Sequence, residues 1–223
     1  MKQPIFCFDI DGTLLSTGGA GSRSMKRAVE TLFQQKIDWK SVVMAGQLDP
    51  SIYRQILLKL DLPYKEKQWE EFLNLYLSFL EEEKQNLSSW IVFDGVLETL
   101  KILSQNKAKT ILMTGNVKKG AWIKLYSCHL HAFFDWDHSI FGDDGKESRD
   151  DLAFAYLQKH KNFLPIVIGD TPHDIRVGEL TGGMSIAVCT GMHSKEELSL
   201  HNPHYNLFSL KEFPWHEWPY LVS

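Results

Sequence analysis

The sequence predicts an α/β fold: a parallel sheet covered by helices on both faces and interrupted near its start by an all-helical insertion. Three observations carry that prediction. Short, wholly apolar runs such as Ile5-Phe6-Cys7-Phe8, Ile111-Leu112-Met113 and Ile166-Val167-Ile168 read as strands buried on both faces. From Trp90 onward such runs alternate with helical patterns, which is the rhythm of a Rossmann-like parallel sheet. Residues 17–90 contain helical spacing and no strand-like run. The expected division is therefore an α/β core of residues 1–16 and 91–223, with residues 17–90 as a helical domain.

The first strand ends in Asp9-Ile10-Asp11-Gly12-Thr13. Positions i and i+2 of a strand point the same way, so Asp9 and Asp11 should emerge together. Ser16 to Ser22 is rich in glycine and reads as a hinge spanning Gly18–Gly21 that lets the insertion open. Met25, Ala28, Val29, Leu32 and Phe33 mark a helix. Asp49-Pro50 reads as the N-cap and first turn of the next, with Ile52, Ile56, Leu57 and Leu60 on its apolar face. Trp69, Phe72, Leu73, Tyr76, Leu77 and Leu80 form the strongest amphipathic stripe.

In the second part, Val96 to Leu103 is helical and Thr110–Thr114 is a strand ending in Thr114-Gly115-Asn116. Ala121 to Leu130 is helical, and Ile140-Phe141 is a short strand candidate. Ser148 and Asp151 form a capping-box pattern that places Arg149 in the first turn of its helix. A third buried strand ends at Gly169-Asp170; Thr171 and Pro172 then open a helix carrying Asp174. Ser185–Val188 and Tyr205–Leu207 complete the sheet.

Composition is that of an ordinary globular chain of 223 residues with net charge −4, which favours neither nucleic acid nor an acidic membrane surface as partner. The three cysteines are too few and too scattered for a zinc site or a disulfide framework. No signal-peptide pattern or membrane-length apolar run occurs, so a cytoplasmic protein is expected. Oligomeric state, monomer or homodimer, is left open.

The strands deliver Asp9, Asp11, Thr114, Asn116 and Asp170 to one sheet edge, with Asp174 a helical turn beyond. Open α/β sheets bind ligands at that edge. Four converging carboxylates repel: two unit charges ~4 Å apart cost about 4 kcal/mol at an effective dielectric of 20. An all-oxygen set without His or Cys suits a hard cation such as Mg²⁺. Gly12, Thr13 and Thr114 offer neutral donors to phosphate oxygens, and Arg149 adds a positive charge.

The segments Asp9-Ile10-Asp11-Gly12-Thr13, Thr114-Gly115-Asn116 and Gly169-Asp170-Thr171-Pro172-His173-Asp174 resemble three of the four motifs of the haloacid dehalogenase-like superfamily. The helical insertion resembles its C1 cap, and the phosphoglycolate-phosphatase-like branch is the nearest in organisation. The resemblance implies Asp9 as nucleophile and Asp11 as general acid and base. It also implies Mg²⁺ held by Asp9, the Asp11 carbonyl, Asp170 and Asp174, with Gly12, Thr13, Thr114, Gly115 and Asn116 around the substrate phosphate. The remaining motif supplies a cation: Lys146 or Arg149, with Arg149 favoured because it sits at the first helical position beside the cap Ser148, while Lys146 lies in a glycine-flanked acidic loop and reads as solvated. The implied partner is a small phosphorylated metabolite.

A phosphomutase of the β-phosphoglucomutase type is the alternative. A phosphonatase would need a cap lysine from among Lys26, Lys36, Lys40 and Lys59. Arg23, Gln47 and Arg54 are candidate specificity positions. His129, His131, His193, His201 and His204 form no metal spacing. The acidic run from Asp143 to Asp151 reads as solvated, and the aromatic tail Phe213–Tyr220 as packing over the core.

Overall fold

The computed structural model describes residues 2–143 and 145–215. Five parallel strands form the sheet: β1 (Gln3–Phe8), β4 (Lys109–Leu112), β5 (Phe163–Gly169), β6 (Met184–Val188) and β7 (Tyr205–Leu207), in the order β4-β1-β5-β6-β7. The register pairs Phe8 with Leu112 on one side and with Ile168 on the other, so β1 lies between two strands that carry polar groups beyond their ends. Side chains alternate between the two faces. Phe6, Phe8, Ile166 and Ile168 pack into one core cluster, while Ile5, Cys7 and Val167 pack into another. Both faces are buried, as continuous apolar strands require.

Two short strands, β2 (Leu15–Ser16) and β3 (Ile91–Val92), pair antiparallel where the chain leaves and rejoins the sheet domain. Between them, among the described residues, lie only helices α1 (Ala20–Phe33), α2 (Asp49–Lys59) and α3 (Glu66–Glu83) and short 3₁₀ turns. Phe72, Tyr76 and Leu80 of α3 sit one turn apart and are buried against Met25, Val29, Tyr53 and Ile56. Tyr53 is the hub: its ring centroid lies 4.6 Å from that of Phe72 and 5.1 Å from that of Trp69. After α4 (Val96–Gln105), Val117 and Ile123 of the sheet domain join this same cluster, so the insertion is seated on α5 (Lys118–Ser127).

The structure corrects four local readings. The expected hinge is shorter, because Ala20, Gly21 and Ser22 already belong to α1; Gly18 and Gly19, at φ 58° and 83°, make the turn. Asp49 is not the N-cap of its own helix, since Leu48 occupies that position. Arg149 likewise precedes α6 (Asp150–His160), and Ser148 donates to the Asp151 carboxylate through both its N–H and its hydroxyl, making only half of a capping box. Ile140 makes a single bridge to Met113 rather than a strand. In the tail, Phe213 and Trp215 pack on the core, Trp215 against Phe6 and Phe213; residues 216–223 lie outside the described residues. No described helix is long and apolar enough to cross a membrane.

Candidate active site

Asp9 follows β1 directly and remains in the sheet, its N–H donating to the Ile168 carbonyl. Gly12 then turns the chain at φ 85°, where a side chain is strained and a Cβ would also overlap the Asp170 carboxylate. Only glycine lets the loop after β1 close on the end of β5. Thr13 Oγ1 donates to Asp170 Oδ1 at 3.0 Å, tying the two strand ends together.

Asp9, Asp170 and Asp174 are all buried, and each presents a carboxylate oxygen within 4.8 Å of the others. Asp174, on α7 (Pro172–Leu180), divides its two oxygens. Oδ2 accepts from the Thr171 N–H and hydroxyl in a capping box, while Oδ1 accepts from Arg149 Nη2 at 2.9 Å. Arg149 Nη1 lies 3.3 Å from Asp9 Oδ1. Burial alone works against the guanidinium charge, but the Asp9 and Asp174 carboxylates outweigh it and raise the Arg149 pKa. Burial, together with the Asp174 and Asp9 charges, pushes Asp170 up to about 8. Asp9 rises to about 6, chiefly by burial, with Arg149 opposing. Three carboxylates against one guanidinium leave two formal negative charges, which a divalent cation would balance. The all-oxygen donor set suits a hard cation, so these residues fit a Mg²⁺ site.

The Asp11 carboxylate does not join this trio, contrary to the expected four-carboxylate cluster. Its side chain is 43% exposed and Oδ2 accepts from Lys124 Nζ at 2.5 Å and from Asn116 Nδ2 at 2.9 Å. The cation opposite it relieves the repulsion that would otherwise demand metal there. Lys124 also donates to Asn116 Oδ1 at 2.6 Å, and Asn116 Nδ2 reaches Thr114 Oγ1 at 3.0 Å. Thr114 is fully buried, and its hydroxyl helps to hold the Asp9 carboxyl down against burial.

A cavity of about 460 Å³ opens between the strand ends and the insertion, lined by Asp9, Asp11, Gly12, Gly115, Asn116, Lys124, Arg149 and Asp170 from the core and by Met25, Gln47, Asp49 and Tyr76 from the insertion. The loop before α2 is docked on the second motif: Asp49 N–H donates to the Gly115 carbonyl at 2.9 Å, and a Cβ on Gly115 would overlap the Gln47 carbonyl. Asp49 Oδ2 accepts from the Val117 N–H at 2.9 Å, so this carboxylate caps α5 from another element. Asp143 accepts from the Lys118 N–H beside it, and Asp151 is bonded to Glu147 and Ser148, so the acidic run is not merely solvated; Asp144 lies outside the described residues.

Several candidates fall elsewhere. Lys146 is buried, not solvated, and is not among the residues lining the cavity. Arg23 pairs with Glu83 and Arg54 with Glu147, and neither lines the cavity, whereas Gln47 does. Lys26, Lys36, Lys40 and Lys59 are exposed and do not line it. Sequence reasoning missed Lys124. The signal was a lysine inside an otherwise apolar helical stretch, and the structure turns Trp122 and Tyr126 outward, 45% and 51% exposed, while burying Lys124.

A parallel α/β core with carboxylates at its strand ends and a helical insertion over them defines the class of capped, Rossmann-like hydrolases. Within it, the profile of the haloacid dehalogenase-like hydrolase family matches residues 6–188, and the chain belongs to that family. It is similar to the probable phosphatase IndB of Dickeya dadantii, 23% identical over 207 residues that cover 90% of this chain and 87% of the relative. It is also similar to the pyrophosphatase PpaX of Bacillus pumilus, 22% identical over 211 residues, 92% of each chain. The fold matches that of a hydrolase from Pseudomonas syringae with a TM-score of 0.70 at 18% identity, covering 95% of this chain and 94% of that one.

Proposed function

We propose that the protein is a Mg²⁺-dependent phosphatase that hydrolyses a small phosphomonoester through an aspartyl-phosphate on Asp9. The observation that carries this reading is the buried trio Asp9, Asp170 and Asp174 with its excess of negative charge at the floor of a cavity that Asp11 also lines. Asp9, the Asp11 carbonyl, Asp170 and Asp174 would hold the cation, which would supply charge neutralisation to the phosphoryl group.

The residues then divide the work. An Asp9 oxygen attacks phosphorus as the bond to the leaving oxygen breaks, and protonated Asp11 gives its proton to that oxygen. Asp11, now a carboxylate, takes a proton from the water that attacks phosphorus, releasing phosphate and restoring Asp9. Arg149 holds Asp9 in place. Thr114, buried at the end of its strand, supplies a neutral donor to the phosphoryl group, whereas the Thr13, Leu14 and Leu15 N–H groups are already bonded to the Ile10 carbonyl. The insertion roofs the cavity and excludes bulk water from the reacting atoms.

The test is hydrolysis of 4-nitrophenyl phosphate with Mg²⁺ and with chelator. Activity is expected only with the cation, and Asp9→Asn should lower it by about 10³-fold or more. Full activity in Asp9→Asn rejects the nucleophile. Product analysis with a hexose phosphate separates hydrolysis, which gives free sugar and phosphate, from mutase action, which gives an isomeric sugar phosphate. Inorganic pyrophosphate belongs in the same panel because several relatives carry the name pyrophosphatase.

A further inference from the structure

We propose that Lys124 is a positioning residue for Asp11, fixing its carboxylate in the orientation from which it exchanges a proton with the leaving group. The proposal rests on the reading of Asp11 as general acid and base. Packing does not hold the Asp11 side chain, which is 43% exposed. What holds it is a closed triangle of hydrogen bonds. Lys124 Nζ donates both to Asp11 Oδ2 and to Asn116 Oδ1, and Asn116 Nδ2 donates to the same Asp11 oxygen. Both donors meet on Oδ2, which leaves Oδ1 available to a reacting group in the cavity. The triangle is anchored twice: Asn116 bonds Thr114, and Lys124 rises from α5, whose Ala121 and Leu125 are embedded in the sheet's core. An acid held this way meets the leaving oxygen at a fixed place, and small displacements of such a group are costly.

Apart from easing the charge of the buried Asp49, folding gives no reason for a lysine here. A buried ion pair is often no more stabilising than apolar residues of the same volume, and α5 already exposes the indole of Trp122 and the ring of Tyr126 while keeping an ammonium inside. Helix amphipathicity is inverted over Trp122, Lys124 and Tyr126, beside the residue that must be aimed.

The experiment compares kcat/KM for phenyl phosphate and 4-nitrophenyl phosphate, in the full chain with Mg²⁺, for the unaltered protein, Lys124→Met and Asp11→Asn. Phenolate is the poorer leaving group and needs the proton; 4-nitrophenolate departs without it. In Lys124→Met, kcat/KM for phenyl phosphate should fall about 10- to 100-fold, a large part of what a general acid contributes. The fall for 4-nitrophenyl phosphate should stay within about threefold, because no proton is required.

Equal losses on both substrates, or a rise in KM with kcat unchanged, overturn the proposal, since they indicate a structural or a substrate-binding lysine. A selective loss in Asp11→Asn with none in Lys124→Met overturns the role of Lys124 alone. No selectivity in Asp11→Asn overturns the acid–base reading and the proposal with it. Should Lys124→Met fail to fold, Asn116→Ala removes the other donor to the same oxygen. A smaller loss confined to phenyl phosphate supports the proposal, and equal losses overturn it.

Discussion

Asp49→Asn removes a buried charge without changing the shape of the side chain. The Asp49 carboxyl is held at about 7, raised mainly by burial, with Lys124 and the Val117 N–H pulling the other way. Its unfolded value is the ordinary 3.8. The folded protein therefore keeps this proton more tightly than the unfolded chain. The group's contribution to stability is fully present below pH 4 and is lost as pH rises through about 7. A shift of roughly three pH units at 1.36 kcal/mol each corresponds to about 4 kcal/mol at pH 8, and half of that is a reasonable expectation after local relaxation. Asparagine keeps the carbonyl that accepts from Val117 and carries no charge. Asp49→Asn should thus be more stable than the parent by about 2 kcal/mol at pH 8, or about 4–8 °C in melting temperature for a chain of this size. At pH 5 the gap should shrink to under half of that, because only about one of the roughly three pH units between the unfolded and folded values has been crossed. Calorimetry or thermal-shift measurements at both values check this. A difference in melting temperature that does not change between pH 5 and pH 8, or a less stable variant at pH 8, refutes the reasoning.

Two further outcomes follow from the packing and the charge balance. Arg149→Met leaves Asp9 and Asp174 without their buried cation and should cost about 3–5 kcal/mol; added Mg²⁺ should raise the melting temperature of the variant more than that of the parent, as thermal shift would reveal. Phe72→Ala empties the centre of the helical insertion's aromatic cluster and should cost about 3–5 kcal/mol, measured by denaturant titration.

Much of the fold was legible because its signals are local. β1 and β5 are continuous apolar runs, and Phe6, Ile5, Ile166 and Val167 divide between the two faces as strand periodicity demands. The stripe from Trp69 to Leu80 placed α3, and Thr171, Pro172 and Asp174 gave the start of α7 with its capping box. What was not legible depends on which element stands opposite. Asp49 carries the sequence mark of a cap, and it is one, but for the helix beginning after Val117 rather than for its own. Lys146 and Arg149 are both flanked by polar residues; only the course of the chain after Gly145 turns the Arg149 guanidinium onto Asp9 and Asp174.

By itself the sequence determined that three strands would end in oxygen-bearing side chains and that a helical insertion would follow the first, because strand alternation and helical spacing are properties of neighbouring residues. Tertiary structure alone decided that Asp11 would separate from the buried carboxylates and pair with Lys124, more than a hundred positions away. The physical reason is that the energy of a buried charge is set by its nearest opposite charge in space, and the order of residues along the chain does not contain that distance.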